Sequence, residues 1–205
     1  MSGEKKPAKP KAEVNKVSSD SNPTLPAKAK TPSSQNVTPS PSSIAKEPEP
    51  PKFEKSIVTQ ITERFGDQVK VIFIRPLRIK ILVEPASIIE VASFLRDTVG
   101  FDHAESAGGT DYPKDNQIEM IYHLSSYTRE ELGPQILFLS VRTNRDDARL
   151  PSLIDVFKSV EYHERETFEM LGIYFEGHPR NDRFLLPEDW ADLPPLRKDF
   201  RIKGR

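Results

Sequence analysis

The chain has 205 residues, room for one domain of ordinary size with some unstructured length beside it. A formal net charge of -1 and a pI near 6.5 provide no overall basic field, so composition does not favour nucleic acid as a partner. Cysteine is absent, which removes disulfides, thiolate zinc sites, iron–sulfur clusters, covalent haem attachment and cysteine nucleophiles together.

Residues 1–52 are a low-complexity run of Lys, Pro, Ala, Ser and Thr, and the first aromatic residue is Phe53. Such a segment cannot bury enough apolar surface to offset its ordering entropy, so it is expected to be a disordered, mildly basic tail. It has no Arg, and it carries Glu4, Glu13, Asp20, Glu47 and Glu49, which argues against a transit peptide. No secretory signal is legible, and no run approaches the roughly 20 apolar residues of a membrane span, so a soluble intracellular protein is expected.

Order is expected from Phe53. Ile57, Val58, Ile61 and Phe65 fall at helical spacing, with Gly66 as the stop. Val69–Ile74 and Leu77–Val83 read as strands of a hairpin around Arg75-Pro76. Pro85–Thr98 reads as a second helix with Ile88, Val91, Ala92 and Leu95 on one face. Gly100–Tyr112, Gln117–Ser126 and Gln135–Thr143 read as three further strands, and Pro151–Phe157 as the start of a short helix. Hairpins with helices gathered on one side predict an α+β fold: an antiparallel or mixed sheet with helices on one face, spanning residues 53–182.

The densest stretch is Tyr162–Leu186. It opens as a helix in which Glu161, Glu164, Arg165, Glu166 and Glu169 flank Phe168, Met170 and Leu171, and it stops at Gly172. Glu161–Arg165 and Arg165–Glu169 are i,i+4 pairs, the spacing of a solvent-face ladder. Glu164 shares a face with Phe168 and Leu171, so its carboxylate needs a partner, either inside the domain or on a neighbour. From Arg183 periodicity fades, yet Phe184, Leu185, Leu186, Trp190, Leu193, Leu196 and Phe200 remain. Residues 183–205 are therefore expected to form an extended arm lying along a surface, its own domain's or a partner's.

Chemical motifs fail in turn. His163-Glu164 starts like a zinc-protease helix, but the second His would stand where Thr167 is. Neither G-x-G-x-x-G nor G-K-[ST] occurs, and no Ser sits in a G-x-S-x-G elbow. Catalytic, cofactor-binding and metal residues are accordingly expected to be absent. The competing reading from another class is a stand-alone hydrolase using Glu164, Glu166 or His178.

Glu164-Arg165-Glu166, Gly172-Ile173, Phe175-Glu176-Gly177-His178-Pro179, Leu186-Pro187-Glu188-Asp189-Trp190 and Pro195-Leu196-Arg197-Lys198-Asp199 together resemble the 30 kDa subunit of respiratory complex I, the NADH-quinone oxidoreductase. Asp111-Tyr112-Pro113, Tyr122-His123-Leu124 and Pro151-Ser152-Leu153 fall in that family's order, so the likeness covers Phe53 to Phe200. The chain departs from the family pattern at Asp182-Arg183 and at Ala191–Leu193.

The resemblance implies a cofactor-free structural subunit in the peripheral arm of a proton-translocating NADH-quinone oxidoreductase, packed against the quinone-site (49 kDa-type) subunit. NADH, flavin, iron–sulfur clusters and quinone would belong to other subunits. The protein would lie on the cytoplasmic side of the cell membrane, reaching it only through the complex. The same fold would serve a deazaflavin-cofactor dehydrogenase or a membrane-bound hydrogenase. The implied interface comprises Glu164, Arg165, Glu166, Phe168, Gly177, His178, Pro179, Arg183, Trp190, Leu196, Arg197, Lys198 and Asp199.

Overall fold

The computed structural model describes residues 51–190 and 194–201; the expectation of a disordered tail falls on residues outside these. The first helix, α1 (Lys52–Phe65), buries Ile57, Val58, Ile61 and Phe65, the stripe its sequence spacing predicts. It ends at Gly66, whose φ of 53° a side-chain-bearing residue would adopt only under strain. Its first-turn Glu54 is buried, and the Leu77 amide (2.7 Å) and Gln135 Nε2 (3.0 Å) both donate to its carboxylate. One acidic residue thus pins the helix to the turn of the hairpin that follows.

That hairpin is β1 (Val69–Arg75) and β2 (Arg78–Val83), antiparallel, with a bulge between Val71 and Phe73. A 3-10 turn at Pro85–Ser87 leads into α2 (Ile88–Phe94), which loosens into a π turn at Leu95–Val99 before left-handed Gly100. The predicted helix therefore exists as three helical types in series. Next come β3 (His103–Tyr112), β4 (Gln117–Ser125) and β5 (Ile136–Asn144).

The five strands make one mixed sheet in the order β1-β2-β5-β4-β3, with β2 and β5 parallel and the other neighbours antiparallel. Ile79, Ile81 and Val83 pair with Leu137, Leu139 and Val141, which face Met120, Tyr122 and Leu124 across β4. All nine are buried, and together with the inward faces of the helices they form one continuous core. At about 25 cal/mol per Å² of apolar area removed from water, this layer is the main source of stability.

Pro151–Phe157 does not start a helix. Arg149–Pro151 is a short strand, β6, parallel to β7 (Tyr174–Glu176), and the Ser152 amide donates to the Glu176 carbonyl at 2.8 Å. The following backbone makes a turn because its Leu153 amide is taken by a side chain, as described below. Helix α3 (Glu161–Leu171) then packs over β3 and stops at Gly172, φ 75°. Beneath it Gly109 leaves room for the helix: a Cβ there would lie 2.3 Å from Leu171 Cδ1, so a larger residue would displace the Leu171 side chain.

Candidate docking surface

Three carboxylates organise the region around α3. Glu164 is fully buried and accepts hydrogen bonds from Tyr122 Oη (3.0 Å), Ser152 Oγ (2.5 Å) and the Leu153 amide (2.8 Å). Burial pushes its pKa above the ordinary glutamate value, against the pull of these donors and of His178. The same burial and the same carboxylate push Tyr122 well above the usual tyrosine value. The polar partner that the apolar stripe called for is thus internal. Glu164 joins α3, β4 and the segment after β6, and it is inaccessible to any neighbour.

Glu169 performs the corresponding task for the arm. The amides of Phe184 (3.0 Å), Leu185 (2.9 Å) and Leu186 (2.7 Å) donate to its two oxygens, and Arg183 Nε stands 3.4 Å away. Burial raises the carboxyl's pKa, but the three amides and Arg183 outweigh it, leaving Glu169 below the ordinary range. Three successive backbone N–H groups pointed at one anion fix the path of the chain as it leaves the domain.

Asp111, at the end of β3, holds the far part of the arm. It accepts from Arg145 Nε (2.8 Å) and from the Lys198 amide (2.8 Å), while Arg145 Nη2 reaches Asp199 at 2.5 Å. Arg197 Nε donates to the Leu171 carbonyl (2.8 Å), and the Leu196 amide donates to the Met170 carbonyl (2.9 Å). The side chain of Arg197 thereby satisfies one of the carbonyls left open at the C-terminus of α3. Residues 194–200 fold back onto the domain, rather than running free from it.

The i,i+4 ladder does not form, because each member has a better partner. Arg165 pairs with Asp182 at 2.8 Å and lies over the rings of Phe184 (4.5 Å) and Tyr162 (5.6 Å); Glu161 pairs with Arg180 at 2.6 Å. The result is a three-part plate in which the Tyr162 and Phe184 rings meet edge to face at 5.9 Å and one guanidinium lies against both. His178 is also internal: the Arg180 amide donates to its Nδ1 (3.0 Å), so the proton sits on Nε2 and donates to the Glu161 carbonyl (3.2 Å). The Gly177-His178-Pro179 turn is a brace between α3 and β7. Thr167, where a zinc-protease helix would have its second His, donates to the His163 carbonyl at 2.8 Å. Among the described residues no group of three or more His, Cys, Asp and Glu is placed to hold a metal ion.

Of the residues expected at the interface, Glu164, Arg165 and His178 are buried, and Phe168, Arg183 and Arg197 are half-buried. Glu166, Gly177, Pro179, Trp190, Leu196, Lys198 and Asp199 are exposed. Among these charged groups five large apolar side chains also face solvent: Tyr162 (56% exposed), Phe184 (42%), Leu185 (48%), Trp190 (38%) and Leu196 (59%). The Trp190 and Phe200 rings stack at 5.9 Å. Phe184 and Leu185 are held outward by the hydrogen bonds their amides donate to Glu169. The residues that sequence reading missed are Asp111, Arg145, Tyr122 and Ser152. Their partners stand 12 to 87 residues away along the chain, so no local spacing points to them.

These contacts define a class of protein: an α+β scaffold that uses its charged residues to fix polypeptide and to present apolar side chains. The chain belongs to the family described as respiratory-chain NADH dehydrogenase, 30 kDa subunit, whose model matches residues 81–205. It is 34% identical over 147 residues to the C subunit of the F420H2 dehydrogenase of Methanosarcina mazei, covering 71% of this chain and 90% of that one. It is 40% identical over 127 residues to the C subunit of the NADH-quinone oxidoreductase of a Roseiflexus species, covering 60% of this chain and 70% of that one. Among solved structures, a chain of the membrane-bound sulfane sulfur reductase, an archaeal respiratory membrane complex, superposes with a TM-score of 0.64 at 28% identity. That match covers 73% of this chain and 86% of the other.

Proposed function

We propose that the chain is a structural subunit, without a redox centre or active site of its own, in the peripheral arm of a membrane-attached complex I-type oxidoreductase. In this reading residues 53–182 are the scaffold and residues 183–205 the docking arm. The arm and the Tyr162–Arg165–Phe184 plate seat against the quinone-site (49 kDa-type) subunit, on the cytoplasmic side of the membrane. Flavin, iron–sulfur clusters and quinone belong to neighbouring subunits. The observation that carries this is the pairing of exposed Phe184, Leu185, Trp190 and Leu196 with internal anchors at Glu169 and Asp111. With residues 184–186 and 196–198 already anchored, that part of the arm loses less entropy on docking. No described helix is long and apolar enough to cross a membrane, which fits attachment through the complex.

NADH is the donor assigned to the complex by the family description. The likeness to an F420H2 dehydrogenase subunit over most of both chains favours a second reading, in which a reduced deazaflavin feeds the same scaffold. The two readings share every residue of the proposed surface.

Co-expression with the quinone-site subunit tests the assignment. Leu185 and Leu196 are exposed by side chain, so Leu185→Glu with Leu196→Glu removes the contact while leaving the internal anchors alone. Wild type is expected to co-purify and the double variant to be lost from the pair. Equal retention of both proteins, or a wild-type chain that never associates, would overturn the proposal.

A further inference from the structure

The described helices all pack on one face of the five-stranded sheet; none covers the other face. A solvated sheet face is ordinarily polar at its outward positions. Here Phe73, Leu82, Ile121 and Phe138 occupy outward positions near the centre, each half-buried among its neighbours. The Phe73 and Phe138 rings lie 6.0 Å apart, and His123 stands edge-on to Phe138 at 5.0 Å.

Charge on this face is one-sided. Lys70, Arg75, Arg78, Lys80 and Arg142 point outward against two carboxylates, Glu119 among them and Glu105 at the β3 edge, where Ser125 Oγ donates to it at 2.6 Å. Glu119 is 2% exposed and already held by Lys80 at 2.6 Å and Arg142 at 3.1 Å. A surplus of positive charge therefore surrounds an apolar centre, on a chain whose net charge is -1. Burial and the field of Lys80 both depress the pKa of His123, keeping its ring neutral at the centre of the face.

We propose that this open face is a second docking surface, which accepts an acidic segment of another subunit of the same assembly. Apolar side chains of that segment would meet Phe73, Ile121 and Phe138, and its Asp and Glu would meet Lys70, Arg75 and Arg78. The proposal rests on reading the chain as an assembly subunit, but it uses none of the residues of the arm.

Charge selects this occupant over the alternatives. Residues 1–50 carry eight Lys against five Asp and Glu and no aromatic residue, so they would set cation against cation. A second copy docked face to face would do the same. An anionic bilayer would satisfy the charge, but membrane binding by a surface needs apolar side chains that protrude into the acyl layer. The four apolar side chains here are half-buried among their neighbours instead of standing clear of them.

The test places a photo-crosslinking residue, p-benzoylphenylalanine, at Ile121 and, in a separate variant, at Leu185, in the full chain within the assembled complex. The Ile121 probe is expected to mark an Asp/Glu-rich peptide of another subunit. Lys70→Glu with Arg75→Glu should lower that yield about tenfold, more at low salt than at high, and leave the Leu185 adduct unchanged. With the Leu185 adduct present, an Ile121 adduct confined to residues 1–50, to a second copy or to lipid overturns the proposal, as does no adduct at all. An Ile121 adduct without a Leu185 adduct supports this face and removes the arm from the proposed function.

Discussion

Glu169 is the residue on which the arm depends, and its removal has a calculable effect. Phe184, Leu185 and Leu186 donate three backbone hydrogen bonds to it at 2.7 to 3.0 Å. A hydrogen bond to a charged group contributes about 1.5–3 kcal/mol net, and water can replace part of that where the donors are half-exposed. Taking about 1 kcal/mol for each, Glu169→Ala should loosen the attachment by about 3 kcal/mol, or roughly a hundredfold in the opening equilibrium. Hydrogen–deuterium exchange reads this directly: the amides of residues 184–186 should exchange about a hundredfold faster, while those of β4 and β5 keep their rates. The pH dependence has a definite sign. Because the folded pKa lies below the ordinary value, the unfolded arm binds more protons; attachment is complete above the unfolded value and is lost as pH falls through the folded one. Unchanged protection of residues 184–186 in Glu169→Ala, at neutral pH, would refute the reasoning.

Three other outcomes are expected. Gly109→Ala would place a methyl 2.3 Å from Leu171 Cδ1 and 3.3 Å from Thr167 Cγ2, so the buried Leu171 side chain must leave its place or α3 must lift from β3; thermal unfolding should fall by about 3–8 °C, corresponding to about 1–3 kcal/mol. Tyr122→Phe removes one of three donors from a carboxylate buried by β4 and α3, and should cost about 1–3 kcal/mol by denaturant titration. Glu164 itself carries the opposite pH sign to Glu169. Its folded pKa is raised, so its contribution falls as pH rises from the unfolded to the folded value, and Glu164→Gln should flatten that part of the stability–pH curve.

The elements whose determinants are local were legible in the sequence: α1 from its apolar spacing, the first hairpin from Arg75-Pro76, the end of α3 from Gly172. The family likeness was legible too, because its motifs cluster around α3. Two local readings failed for long-range reasons. Pro151–Phe157 has helical composition, but Glu164 captures the Leu153 amide and β7 captures the Ser152 amide, so the backbone is bound elsewhere before a helix can form. The Glu161, Arg165 and Glu169 spacing suits a solvated ladder, yet aromatic rings and arm amides compete for the same groups. Asp111 could not be found from its neighbours, since its partners are Arg145 and the amide of Lys198.

The parallel pairing of β2 with β5 also sets an order of events. Arg78 lies beside Ile136 and Val83 beside Val141, so α1, β1 and β2 cannot complete their side of the core until the chain has been made as far as β5. Loop-closure entropy over that distance makes such a junction slow compared with the β4–β5 hairpin, which forms between near neighbours. The first hairpin therefore waits during synthesis with the β2 edge that β5 will occupy still unpaired, and the growing chain is most prone to aggregation in that interval.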